Sequence, residues 1–390
     1  MAANDLSFNQ LSTVLNSIVS QATGKTAITP TNTSEFVTVA QTALKAGFDP
    51  TLNAISQMVS KTIFSTRPYY RKFGGIQVDN QRWGNITRKL NIADKQWEND
   101  VRFELVDGQS VDMYKVNKPE ILQTNFYGAN VYERNYTVFR DQLDCAMSGP
   151  DEFGRFLSMV TGNCADIIEQ AHEELARATV ANYLGGKIKG DTASCIHLLT
   201  EYNALTGLAL TQETVYQPDN YKPFIDWVYS RIATLTELMT ERSELFHTNV
   251  TGKILNRHTP LQRQKMFLYA PARFNIESMS LANTYNNNFL KMAYNETVNY
   301  WQSIKSPSKI NVKPTYLQAD GTLTTPETAV EQDNIFGVVF DEEALGYTVV
   351  NQWSASTPFN AKGGFSNIFF HFTDRFWNDF TENGIVLLLD

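Results

Sequence analysis

Near the C-terminus the chain reads NIFFHFTDRFWND over residues 367–379, where five aromatic rings surround a histidine, two aspartates and an arginine. His371, Asp374 and Asp379 are the residue types that hold a borderline or hard metal ion, because imidazole and carboxylate are its usual ligands. The same letters also alternate as a pleated strand does. Ile368, Phe370 and Phe372 point one way; Phe369, His371 and Thr373 point the other. Aromatic residues suit a half-buried pleated surface, so a strand that walls a core is the preferred reading. Two further stretches imitate known chemistry and break off. Gly24-Lys25-Thr26 ends like a phosphate-binding loop, but Val19 stands where the first glycine is required. His172-Glu173-Glu174 begins like a zinc-protease helix, yet Ala176 occupies the place of the second histidine, which leaves a solvated helix face as the expectation. His197, His247, His258 and His371 are scattered without ligand spacing, and neither a dinucleotide turn nor a nucleophile elbow occurs. No catalytic, cofactor-binding or metal-ligating residue is assigned, and no cofactor is expected.

The elements that must carry these residues read as α+β, because helices and strands follow one another without regular βα alternation. Residues 1–45 are rich in Ser, Thr, Asn and Gln around short helical pieces such as LSTVLNSIV and have the character of an arm. Residues 46–75 connect, with a helix possible over Thr42–Lys61 before the turn-rich RPYYRKFGG. Residues 76–130 then form a long hairpin from RWGNITRKLNI and KPEILQTNFYG. A turn at Ser148-Gly149-Pro150-Asp151 opens a spine helix over about 151–184, closed by Gly185-Gly186. Its apolar stripe is Phe153, Phe156, Val160, Cys164, Ile167, Ala171, Leu175 and Ala178. Phe224, Val228, Ile232, Leu235 and Met239 mark a second amphipathic helix, and KMFLYAP, IFGVVF and GIVLLL read as strands. The loop QADGTLTTPETA suggests a boundary near residue 330.

At 390 residues the chain can bury a sizeable core, and its 19% charged and 12% aromatic residues suggest a surface partly covered by something other than water. A net charge of −8 argues against coating nucleic acid by phosphate neutralisation. Cys145, Cys164 and Cys195 lack metal or disulfide spacing and are expected as buried thiols in a reducing cytoplasm. No apolar run approaches the roughly 18 residues that cross a bilayer. The hairpin is electrically divided. The stretch from Arg67 into its first half carries Arg82, Arg88 and Lys89 among seven basic residues against Asp79 and Asp94, whereas the tip carries Glu98, Asp100, Glu104, Asp107 and Asp112 against Arg102 alone. Such a division can be a solvated face, or it can set partner and register between neighbouring copies.

In this order of elements, and above all in IFGVVFDEEALGYTVVNQW, STPFNAKGGF and NIFFHFTDRFWNDFTENGIVLLL, the chain resembles the major capsid proteins of tailed bacteriophages with the Hong Kong 97 phage fold, most closely those of small short-tailed phages. The resemblance implies an arm (1–45), an extended loop (76–130), a peripheral domain (131–190 and 331–390) and an axial domain (191–330). It implies self-assembly into pentamers and hexamers of an icosahedral head in the host cytoplasm, around double-stranded DNA that is enclosed without sequence-specific binding. Portal proteins, and scaffolding or decoration proteins, are the other implied partners; no membrane is implied. Arg82, Arg88, Lys89, Glu98, Asp100, Glu104 and Asp107 become intersubunit candidates, and Phe370, Phe372, Phe376, Phe156, Val160 and Ile167 the peripheral-domain core. The alternatives are an encapsulin-like shell around enzyme cargo and an enzyme of unrecognised type near His247 and His258.

Overall fold

The computed structural model describes residues 8–24, 29–47, 49–51, 53–55, 72–78, 86–95, 100–114, 116, 118–279 and 294–390, with the side chains of 86, 127, 158–165, 279, 294 and 295 outside the description. Two helices begin the chain, α1 (Phe8–Thr23) and α2 (Thr33–Lys45). Helix α2 starts where the Asn32 side chain accepts a hydrogen bond from Glu35 N at 2.9 Å, which satisfies one of the free amides of its first turn. β1 (Ile86–Ile92) and β2 (Ile121–Tyr127) then pair antiparallel as the expected hairpin. β3 (Asn130–Phe139) and the short helix α3 (Arg140–Ala146) lead into α4 (Pro150–Gly190), the spine.

Helix α4 runs through Gly185 and Gly186 instead of stopping there. Both glycines are needed for contact: a Cβ at Gly185 would lie 2.6 Å from Val312 Cγ2, and one at Gly186 would lie 2.3 Å from Phe380 Cζ. At 41 residues and about 1.5 Å of rise each, the spine is roughly 60 Å long. Beyond it come β4 (Cys195–His197), α5 (Leu198–Thr206), α6 (Pro218–Leu238), β5 (Gln264–Tyr269), α7 (Ala270–Met279) and β6 (Tyr294–Val298). The small strands β7 (Ile310–Val312), β8 (Tyr316–Leu317), β9 (Leu323–Thr324) and β10 (Val330–Gln332) precede β11 (Ile335–Asp341), β12 (Leu345–Ser356), β13 (Phe365–Asn378) and β14 (Gly384–Leu388).

Two sheets hold most of the core. The order β12-β13-β3 makes a three-stranded antiparallel sheet, and the order β4-β14-β11-β5-β6 makes a five-stranded mixed one. One hydrophobic cluster joins α1 and α2 to Phe153, Phe156 and Leu157 of the spine and to Ile368, Phe370 and Phe372 of β13. A second joins Ala176, Val180, Tyr183 and Leu184 of the spine to Phe267, Val338, Phe340 and Val386 of the larger sheet. The other face of that sheet packs Met266, Leu268, Val339 and Leu387 against α5, α6 and α7. The five residues Phe224, Val228, Ile232, Leu235 and Met239, spaced three and four apart, are buried as their periodicity predicts.

Several expectations change. Strands β11 and β14 pair with β5 and β4, so the division at residue 330 separates segments that share one sheet. The N-terminal helices contribute Leu15, Ile18, Phe36 and Ala40 to a core of their own chain, each at 0% exposure. Phe376 is 44% exposed and no core residue, because the alternation of buried Ile368, Phe370, Phe372 and Asp374 breaks at Arg375, which is itself buried. Ile167 is half-buried, Val160 lies outside the described side chains, and Ala178 faces solvent. The buried side of the second half of the spine instead includes His172, Glu173 and Arg177. Periodicity of apolar residues misses that side because its polar groups are paired: Arg177 lies 2.7 Å from Glu173, and Phe73 N donates to Glu173 at 3.2 Å. The solvated face expected around His172 is therefore interior, with His172 Nε2 3.3 Å from Asp374. Cys145 is exposed, Cys195 is buried, and Cys164 lies outside the described side chains.

The wall and its neighbour are distinguishable by stability. Phe372→Ala empties a fully buried ring site and is expected to cost about 3–5 kcal/mol in chemical denaturation. Phe376→Ala is expected to cost about 0.5 kcal/mol, as for an ordinary surface change.

Candidate assembly surface

The three residues that opened the question of chemistry are held apart by different partners. His371 lies on the outer face of the three-stranded sheet, stacked on Trp353 with ring centroids 3.9 Å apart, and 3.6 Å from Glu133. Asp374 is buried and accepts a hydrogen bond from the Tyr132 hydroxyl at 2.6 Å. Asp379 caps the turn that follows β13, accepting from Thr381 N at 2.9 Å and from the Thr381 hydroxyl at 2.6 Å. Among the described residues no group of three or more His, Cys, Asp or Glu side chains could hold a metal ion. The strand is a wall.

A different feature of the molecule exposes apolar side chains. Alternation along β1 turns Thr87, Lys89 and Asn91 toward the body and Arg88, Leu90 and Ile92 toward solvent. Register places Leu90 opposite Gln123 and Ile92 opposite Ile121, so the outward face of the hairpin carries Leu90, Ile92 and Ile121. Leu122 and Phe126, opposite Asn91 and Thr87, are half-buried on the inward face, so apolar residues stand on both faces of the hairpin. Beyond Ile92 the tip is more apolar than its charge suggests: Phe103 is 89% exposed, and Leu105, Val106, Val111, Met113, Tyr114 and Val116 are exposed with it. Contiguous exposed apolar surface of this kind marks a contact site. In the sequence these residues were hidden among the acids of VRFELVDGQSVDMY; the alternation of Val101, Phe103 and Leu105 was the available signal.

The inward face anchors the hairpin to its own chain. Lys89 Nζ donates to Asp379 Oδ2 at 2.8 Å and also to Glu382 Oε1, and both carboxylates are buried. Arg257 Nη2 closes on Glu382 Oε1 at 2.9 Å. Burial works against the Lys89 charge, but Asp379 and Glu382 outweigh it and hold the ammonium pKa above its ordinary value. At the end of β1, Asp94 N donates to Ile254 O at 2.8 Å, Asp94 Oδ2 accepts from Asn256 N at 2.7 Å, and Arg242 pairs with Asp94 Oδ1. Lys253 Nζ donates to Ile121 O at 3.1 Å. The base is thus fixed while the tip is presented.

The expected intersubunit residues divide accordingly. Arg88, Asp100, Glu104 and Asp107 are exposed on the hairpin; Arg82 and Glu98 lie outside the described residues. Lys89 is a correction: it points into its own chain, because alternation along β1 puts it on the face opposite Arg88. His247 is buried with Nδ1 2.9 Å from Leu245 O and Nε2 2.8 Å from Leu255 O, structural contacts that tie the loop before β5.

A family model described as Phi29-like phage major capsid protein matches residues 15–388. No curated protein matches. Among solved structures, the capsid structure of Staphylococcus phage Andhra is similar at a TM-score of 0.54 and 11% identity, over 80% of this chain and 82% of that one. A chain of the structure of head fiber and inner core protein gp22 of native bacteriophage P68 is similar at a TM-score of 0.56 and 11% identity, over 82% and 85%. At such identity the likeness speaks to the fold, which is the α+β capsid fold expected from the order of elements.

Lys89→Met leaves two buried carboxylates short of a cation and is expected to destabilise the subunit by about 3 kcal/mol. The folded pKa of Lys89 lies above the unfolded value of about 10.4, so its contribution is complete below that pH and is lost as pH rises through the folded value. Urea melts of the two proteins should differ by a constant amount between about pH 8 and 10 and converge above that range.

Proposed function

Because the chain belongs to the Phi29-like phage major capsid protein family, we propose that it builds the phage head through its hairpin, laid over a neighbouring copy of itself. Membership makes it a structural component of the virion that associates with its own kind; neither the encapsulin-like shell nor the enzyme alternative finds support in the family or in the solved structures it resembles. The observation that carries the hairpin reading is the apolar surface it turns outward: Leu90, Ile92 and Phe103 are exposed, while Lys89 and Asn91 face the body. Burying that apolar surface requires a second molecule, and identical subunits supply it by repetition around closed symmetry axes.

Pentamers and hexamers of an icosahedral shell are the arrangement such repetition favours, with the peripheral segments (131–190 and part of 331–390) around the spine and the remainder toward the axes. Assembly takes place in the host cytoplasm. A chain of net charge −8 encloses double-stranded DNA without gripping its phosphates. Portal, scaffolding or decoration proteins meet this shell as separate chains. Charge across the contact sets register more than affinity, which is the part played by Arg88, Asp100, Glu104 and Asp107.

Phe103→Ser with Met113→Ser changes only exposed positions, so the subunit is expected to keep its melting temperature while closed shells fall by about tenfold or more in electron micrographs. Normal shell yield from this variant would remove the hairpin from the assembly contact.

A further inference from the structure

Outside the hairpin, the most exposed large apolar residue among those described is Ile304, at 76%. It stands in the turn Ser303–Ser306, next to Lys305, on the segment between β6 and β7. The turn is fixed to β7 by Gln302, whose side chain donates to Asn311 O at 3.0 Å and accepts from Asn311 N at 2.6 Å. Lys313 follows Asn311 by two residues and shares its exposed side, so Lys305, Ile304 and Lys313 form one ledge. The nearby charges are otherwise engaged: Lys309 pairs with Glu331 at 3.3 Å, and Asp333 accepts from the Ser308 hydroxyl at 2.6 Å. Neither Lys305 nor Lys313 forms an ion pair among the described residues.

The hairpin tip has the opposite character. It combines Phe103, Met113 and Tyr114 with Asp107 and Asp112, neither of which forms an ion pair among the described residues; Asp112 accepts from Tyr114 N at 2.9 Å. One chain therefore displays an apolar, acidic knob and an apolar, basic ledge, and leaves both open. We propose that the ledge Ile304–Lys305–Lys313 is the acceptor for the hairpin tip of a second copy, a heterologous contact in which knob and ledge lie on different parts of each subunit. Contacts of this kind close into rings when the rotation allows. The two lysines attract and orient the carboxylates, and Ile304 meets the exposed rings. This inference rests on the hairpin being the assembly element and adds where it lands.

The test is a charge swap in the full chain. Lys305→Glu with Lys313→Glu, and separately Asp107→Lys with Asp112→Lys, are each expected to lower the yield of closed shells about tenfold, with unchanged melting temperature. All four reversals combined in one chain are expected to restore shells. Reversal at the tip that blocks assembly, with no effect of reversal at the ledge or no restoration by the combination, would overturn the ledge while leaving the hairpin reading intact. Normal shells from the tip reversal as well as the ledge reversal would overturn both.

Discussion

A helix of 41 residues serves two hydrophobic cores at once, and the relative placement of those cores depends on its length and on what its faces can accept. Its first half gives Phe153, Phe156 and Leu157 to the three-stranded sheet and the N-terminal helices; its second half gives Val180, Tyr183 and Leu184 to the five-stranded sheet. The second half also lets three glycines meet Val312, Phe380 and Tyr316 at distances no Cβ would permit. Close approach there fixes the small strands and the turn after β13 against the helix. That turn in turn supplies Asp379 and Glu382, the carboxylates that receive Lys89. The position of the hairpin is therefore traceable, contact by contact, to the spine.

The polarity of the hairpin follows from this anchoring. A two-stranded ribbon is marginal by itself, and here its inward face combines the half-buried Leu122 and Phe126 with ion pairs and backbone hydrogen bonds to the body. Leu90, Ile92 and Ile121 are left on the outward face. A charged anchor also has directional demands that an apolar one lacks, so the ribbon leaves the body at a defined angle and can present the same surface in every copy. Repetition of one surface is what a shell requires.

Much of the fold was legible in the sequence because its largest elements carry strong patterns. The alternation of Ile368, Phe370 and Phe372 and the helical spacing from Phe224 to Met239 stand as read, and strands at 86–92 and 121–127 pair inside the hairpin expected over 76–130. What failed did so where polar residues are buried or glycines are packed. His172, Glu173 and Arg177 look like a wet helix face, yet an interior ion pair and the Phe73 amide make them core. Gly185-Gly186 looks like a stop signal, yet it is a contact. Strands β11 and β14 were assigned by chain order, and order does not reveal that β5 pairs with β11 across the intervening 65 residues between Tyr269 and Ile335. On the hairpin, charge was visible and apolar exposure was not: the reading named Arg88 and the acids of the tip, took Lys89 as outward although it pairs within its own chain, and did not name Phe103 or Met113. Exposure depends on what lies opposite a residue, which a single chain of letters does not state.

The most direct measurement is cryo-electron microscopy of assembled shells at a resolution that shows side chains. The account predicts that Phe103, Met113 and Tyr114 of every subunit are buried against another copy, while Lys89 stays with Asp379 and Glu382 of its own chain. Tips that project into solvent in a closed shell, with the contacts between copies made elsewhere, would contradict it.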